Sequence, residues 1–438
     1  MKLDEKKTII SWSLYDWANS AFATTVMAGF FPLFFHQYFN AGPLEVDKVV
    51  SNWRLGLANS AAGVTVAIMA PILGAVADQG SSKKKFLIFF AFLGVVMTVG
   101  LSLVARGHWV MAFWLYVFAV IGFSGGNIFY DSLITIVASE KKLDVVSAWG
   151  YSLGYLGGGV LLAFNVWMSL KPETFGLASQ EQAVKVSFVT VGVWWAIFSV
   201  PIFLFVKEPP HPRAKSCLKM VSAGMQQLKQ TFGRVRRCRT IFLFLLAYWL
   251  YIDGVDTIVR MAVSFGDLLK VDFKVLITSL LIVQFVGFPA AIGFGYLGQK
   301  IGARRGIFLG IAAYLFVTIW GALIKKDTDF YVLAVIIGLV QGGVQSLSRS
   351  FFARLIPVEQ AAEFFGFYNM LGKFAVVLGP VLMGGCGLLL RAVGLDDETA
   401  LRASIISIAL MFIAGGALLY LVDENKGKEE ARYLAEKT

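Results

Sequence analysis

Charge is what this 438-residue sequence is short of: Asp, Glu, Lys and Arg supply 15% of it, where soluble domains carry roughly 25%. That is too little to cover a water-soluble fold whose residues are 57% hydrophobic. Cysteine is scarce as well. Cys217, Cys238 and Cys386 have no metal-ligand spacing, so neither a disulfide framework nor a zinc module is expected. His36, His108 and His211 stand far apart, without the company that a metal or catalytic centre needs. The sequence holds no GxxxxGK[ST] phosphate loop and no recognisable set of nucleophile, base and orienting group. These absences argue against an ATP-driven pump and against an enzyme, and no cofactor or metal is expected.

What the chain does have is apolar length. A membrane-spanning helix needs about 20 predominantly apolar residues, and twelve such runs occur, at 12–38, 53–77, 86–105, 109–138, 146–169, 184–206, 240–263, 273–297, 305–324, 330–354, 364–391 and 400–422. The expected fold is therefore an all-α polytopic membrane protein with twelve transmembrane helices. A net charge of +11 reports topology, not nucleic acid, because most Lys and Arg fall in segments that share one side. By the positive-inside rule both termini are expected in the cytoplasm. The N-terminal MKLDEKKTII leads into a run with an embedded Asp and no small-residue cleavage site, so it reads as retained.

The runs form two sets of six. Residues 1–206 make the first half, 207–239 a basic linker, 240–422 the second half and 423–438 a polar tail expected to be short and mobile. Within the linker, Leu218, Val221, Met225, Leu228, Phe232 and Val235 recur at three- and four-residue spacing among Lys and Arg, the pattern of an amphipathic helix on a membrane surface. Features repeat at about half the chain length. Gly122, Gly125 and Gly126 return as Gly338, Gly342 and Gly343, and the passage Gly74, Asp78, Lys83 returns as Gly295, Gln299, Arg304. Gly157, Gly158 and Gly159, like Gly379 before Pro380, are expected to let helices pack closely, with bending as the alternative.

Ionisable groups inside the runs carry the functional signal, since hydrocarbon makes a lone charge expensive. They are Asp16, Asp131, Asp253, Asp256, Arg260, Arg349 and Lys373, and six of the seven lie in spans one, four, seven and ten. These are the first helices of four three-helix units, which in an inverted-repeat transporter can face one central cavity. Asp16 and Asn19 share a helical face, as do Gln341, Gln345 and Arg349 at four-residue spacing. Asp256 and Arg260 can pair within span seven. The expectation is that Asp16, Asn19, Asp131, Gln341, Gln345 and Arg349 meet a small polar solute or a coupling proton; Asp16, Asp131, Arg349 and Lys373 lie toward the cytoplasmic side, and Asp253, Asp256 and Arg260 from the middle toward the outside, so that one level could close while the other opens. The alternative is a set of structural ion pairs.

Twelve spans in two halves joined by a basic linker resemble the major facilitator superfamily. Gly74, Asp78 and Lys83 sit where that superfamily's loop motif has its Gly, Asp and first basic residue; Gln299, Gly302 and Arg304 form the second copy, and Ser81 and Ser82 depart from the pattern. The resemblance implies a cytoplasmic gate at these positions. Tyr15-Asp16-Trp17-Ala18-Asn19-Ser20-Ala21-Phe22, followed by Phe31-Pro32, resembles the opening of the vacuolar amino-acid effluxer-like branch. It implies export of amino acids or similar small solutes. The reading that results is a monomeric secondary transporter in a bacterial inner membrane, coupled to protons, with drugs, other metabolites or lipid-like solutes as alternative cargo and a non-transporting sensor as the alternative class.

Overall fold

The computed structural model describes residues 3–41, 48–80, 82–209, 238–268, 273–324, 326–374 and 378–436. Helices account for nearly all of them, as expected where every backbone N–H and C=O must find its partner without water. The first ten spans are α1 (Lys6–Phe39), α2 (Lys48–Asp78), α3 (Lys83–Gly100), α4 (Trp109–Val137), α5 (Leu143–Leu170), α6 (Gln180–Phe205), α7 (Arg239–Leu268), α8 (Phe273–Ile301), α9 (Ala303–Ala322) and α10 (Asp327–Leu355). The eleventh crossing consists of α11 (Ala361–Phe374) and α12 (Leu378–Ala392), and the twelfth of α13 (Asp397–Ile406) and α14 (Ala409–Leu421). The linker helix anticipated around 218–235 lies outside the described residues.

Local chemistry sets the helix ends. Between α8 and α9 the chain reverses on Gly302 at φ +89°, a conformation a residue with a Cβ adopts only at a cost. Span one departs from regular α geometry: Phe22–Phe30 and Phe35–Phe39 have π-helical hydrogen bonding on either side of Pro32. Pro lacks an N–H and cannot complete the α ladder, and wide turns of this kind concentrate at functional sites.

Two antiparallel seams join the halves. On one, α2 meets α11, where a Cβ on Gly74 would run into the carbonyl of Ala362 and a Cβ on Gly366 into that of Ala70. On the other, α5 meets α8. Gly295 abuts Ala148, Gly159 abuts Gln284, Gly287 abuts the Tyr155 ring, and Ser152 Oγ donates to the Phe288 carbonyl at 2.8 Å. Gly157 and Gly158 lie against Trp17 and Thr24 of α1. These glycines admit a neighbouring helix, so close packing accounts for the run at 157–159.

Both ends of the chain lie on one face, called here the terminal face. Asp4 accepts from the Ser139 N–H at 2.9 Å in the turn between α4 and α5. At the other end a further helix, α15 (Glu424–Glu436), replaces the mobile tail that polarity predicts. Its small and apolar residues Gly427, Ala431 and Leu434 are buried, and the Glu430 carboxylate accepts from the Thr240 N–H and hydroxyl at the start of α7. Tertiary contact stabilises a helix this short and polar.

Candidate gate and solute cavity

Arg349 on α10 is 1% exposed and sits at the centre of the terminal half of the molecule. Its Nη1 donates to Asp131 Oδ1 of α4 at 3.0 Å and to Asp16 Oδ2 of α1 at 3.4 Å; Nε donates to Ser147 Oγ at 2.9 Å and Nη2 to the Ser147 carbonyl at 2.8 Å on α5. One guanidinium from the second half thus ties down three helices of the first. Neighbours hold the carboxylates in place: Tyr130 Oη donates to Asp16 at 2.8 Å and Asn369 Nδ2 of α11 donates to Asp131 Oδ2 at 3.1 Å. Aromatic faces wall the cation, with the Tyr151 ring 4.3 Å and the Trp12 ring 4.8 Å from Cζ. The absence of a side chain at Gly150 makes room for the cluster, because a Cβ there would stand 2.8 Å from Arg349, Asp16 and Tyr130.

More ties lie nearer the surface. Asp78 accepts from the N–H groups of Ala362 and Glu363 at 3.2 and 2.8 Å, capping the start of α11 across the seam, and Lys83 pairs with it at 2.9 Å. Gly74 is the close-approach residue of the same seam. On the other side Asp144 accepts from Ser350 Oγ at 2.5 Å and Arg354 at 2.9 Å, and Gln299 Nε2 donates to the Lys141 carbonyl at 2.9 Å. Lys428 of α15 reaches Glu140 at 2.5 Å, and Glu424 forms an ion pair with Arg354 at 3.2 Å. The terminal face is therefore closed by polar ties that run between the halves.

Other residues singled out by sequence fall elsewhere. Asp253 is fully buried but lies outside the Arg349 cluster. Its carboxylate caps α12, accepting from the N–H groups of Leu378 and Gly379 at 3.1 and 3.2 Å and from Thr257 Oγ1. A helix N-terminus attracts negative charge, so this carboxylate has a structural partner. Asn19 donates to Asn127 at 2.6 Å within the first half. Arg304 reaches no partner across the seam among the described residues; it donates to the Tyr420 carbonyl of α14 in its own half. Among the described residues, the polar contact that the second loop motif makes across the halves is that of Gln299. Asp256 sits three residues beyond Asp253 on α7, half-buried. The Arg260 and Lys373 side chains lie outside the described residues, and with them the expected Asp256–Arg260 pair.

Farther from the terminal face lies a cavity of about 260 Å³. Its wall is mostly apolar, with Leu276, Leu280 and Val283 of α8 and Phe330, Leu333 and Ile337 of α10 among its residues; Thr24, Ser279, Gln284, Thr318 and Gln341 supply polar groups. Thr24 and Gln341 are each eight residues from Asp16 and Arg349, a rise of about 12 Å along a helix. Cavity and charge cluster are thus at different depths, whereas the sequence pattern groups Gln341 with Arg349. Tyr155 stands between, donating to Gln345 at 3.4 Å. Tyr130, Ser147, Tyr151, Tyr155 and Asn369 were not identifiable as site residues beforehand, because uncharged polar residues are common in spans and only the fold reveals their neighbours.

Similarity to known proteins bears on this arrangement. The sequence profile described as "Vacuole effluxer Atg22 like" matches residues 56–144 and 135–432. A Bacillus subtilis protein named "Uncharacterized MFS-type transporter YxiO" is 36% identical, over 95% of this chain and 94% of its own. The Penicillium rubens "Autophagy-related protein 22-1" is 22% identical over 97% and 91%. Among solved structures, the proton:xylose symporter XylE superposes with a TM-score of 0.67 at 13% identity, over 98% of this chain and 97% of that one.

Proposed function

Because this chain belongs to the vacuole effluxer Atg22-like family of major facilitator transporters, we propose that it exports a small polar solute, an amino acid or small peptide, by alternating access driven by protons. The observation that carries this reading is Arg349, held by Asp16 and Asp131 from the opposite half. Both carboxylates and the guanidinium would have to part for the terminal face to open. Two carboxylates share one permanent cation, so the cluster can accept a proton and still keep one ion pair. A second proton, or a competing interaction from cargo, would then release the halves.

In this reading the 1–206 and 240–422 bundles rock about the two seams, the terminal face is cytoplasmic, and the protein works as a monomer in a bacterial inner membrane. The distribution of Lys and Arg supports the orientation. A second reading, an exporter of drugs or lipid-like metabolites, draws its support from the apolar wall of the cavity. Counterflow into proteoliposomes tests the proposal. Flux of an amino acid that depends on a pH gradient in the parent, and is lost or uncoupled in Asp131→Asn, is the expected result. Unchanged flux with unchanged pH dependence in that variant would remove Asp131 from the mechanism.

A further inference from the structure

One residue of the cavity wall carries a polar atom that no described residue engages. Gln341 Oε1 is buried and accepts no hydrogen bond among the described residues, and its side chain lines the cavity. A buried acceptor without a donor is costly, and it persists most readily where a ligand or water fills the place. Gln345, one turn along the same face of α10, is already engaged by Tyr155, and Arg349, one turn further, by the two carboxylates. Of this stripe, Gln341 alone belongs to the cavity wall. It stands at the end of the cavity nearest the gate. Leu276, Leu280, Phe330 and Leu333 line the cavity away from that end, and Ser279 Oγ, also buried and unpartnered, lies among them.

We infer that Gln341 is the residue that reads the cargo's polar head: its Oε1 accepts a hydrogen bond from an N–H or O–H donor on a solute whose apolar body lies along α8 and α10. The inference rests on the transport reading and deepens it by separating recognition from gating. Cargo polarity is read at Gln341, while Asp16, Asp131 and Arg349 hold the halves. The shared helical face gives a physical route between them, because a solute drawn onto Gln341 acts one turn from the Gln345–Tyr155 contact that bridges the two halves.

Three probes with one apolar body and different heads test this on the full-length protein in detergent: leucine, isoamylamine and isovalerate, scored by thermal stabilisation, since a ligand of the native state raises its melting temperature. Leucine and isoamylamine, which carry an ammonium donor, are expected to stabilise the parent, and isovalerate, ionised at neutral pH and without a donor, is not. Gln341→Met, which keeps the shape and removes the acceptor, is expected to weaken the two donor-bearing probes at least tenfold; Gln341→Glu, which retains an acceptor, is expected to restore them. The Arg349 lock is read separately by a spin-label distance across the terminal face, which Gln341→Met should leave unchanged. Isovalerate binding as tightly as isoamylamine, no binding of any probe to the parent, or parent-like binding by Gln341→Met would each overturn the inference. The transport reading would survive those results if pH-driven flux persists, and would fall with loss of that flux in the parent.

Discussion

Replacing Arg349 by Met should open the terminal face, and the structure sets the size of the effect. The side chain is 1% exposed and lies 3.0 and 3.4 Å from two carboxylates, so its loss leaves Asp131 and Asp16 facing each other without a cation. Removing one partner of a buried ion pair costs about 3–5 kcal/mol. At about 1.4 kcal/mol per factor of ten, that moves the closed-to-open ratio by roughly two to three and a half powers of ten. The assay is the dipolar coupling between spin labels at Lys142 and Lys300, both exposed and next to each other across the α5–α8 seam, where Gln299 meets the Lys141 carbonyl, with Cys217, Cys238 and Cys386 replaced. One short distance is expected in the parent and a dominant longer one in Arg349→Met. Adding Asp16→Asn and Asp131→Asn should bring the short distance back in part, because the repelling charges have gone. The same short distance in Arg349→Met as in the parent, with the variant folded, would refute the claim that these charges hold the halves together.

Two more outcomes follow from the terminal face. Gly74→Ala places a methyl against the Ala362 carbonyl; overpacking of this kind costs about 1–3 kcal/mol, so the melting temperature should fall and the Lys142–Lys300 distance broaden, and an unchanged melt would show that the seam yields. The α15 contact should depend on pH. The hydrogen bond from Lys428, against some burial, holds the Glu140 carboxyl below its ordinary value of 4.5, and Glu140 and Glu424 hold the Lys428 ammonium above its ordinary 10.5 although burial opposes them. A lowered carboxyl stabilises above its ordinary value and loses that as pH falls through the lowered one; a raised ammonium stabilises below its ordinary value and loses that as pH rises through the raised one. The contact is thus at full strength between about pH 4.5 and 10.5. Solvent screening at half-exposed Glu140 limits it to at most about 1 kcal/mol. Amide exchange across 424–436, corrected for its intrinsic pH dependence, should quicken in the parent as pH is lowered progressively below 4.5 and, at pH 7, in Lys428→Ala; protection unchanged in both would exclude the contact as a tie.

The division of the chain into spans was legible because a bilayer imposes one length and one kind of composition on every crossing. Predicted and observed helices differ mainly at their ends and in span twelve, where α13 and α14 meet at Ser407 and Ile408. Clustering of Asp16, Asp131 and Arg349 was legible for a related reason: buried charges need partners. Which partners they take was not. Periodicity shows that Gln341, Gln345 and Arg349 share a face, but Arg349 and Asp131 are 218 residues apart, and only the fold shows that one end of the stripe is a lock while the other borders the cavity. Asp253 misled the sequence reading because a carboxylate capping a helix start and one lining a water-filled path look alike in one dimension. The tail misled it because α15 owes its form to docking on α7 and α10, which polarity alone does not register.

The seam between α2 and α11 carries one more lesson. At Gly74 and Gly366 each helix touches the other's main chain, with no side chain wedged between to act as a cog. Surfaces so plain can slide or tilt past one another without any rotamer having to change, much as a smooth bearing turns more freely than a toothed wheel. Their grip is therefore weak in shear, and the task of fixing one orientation of the bundles falls to a handful of polar links, Arg349 with Asp16 and Asp131 among them.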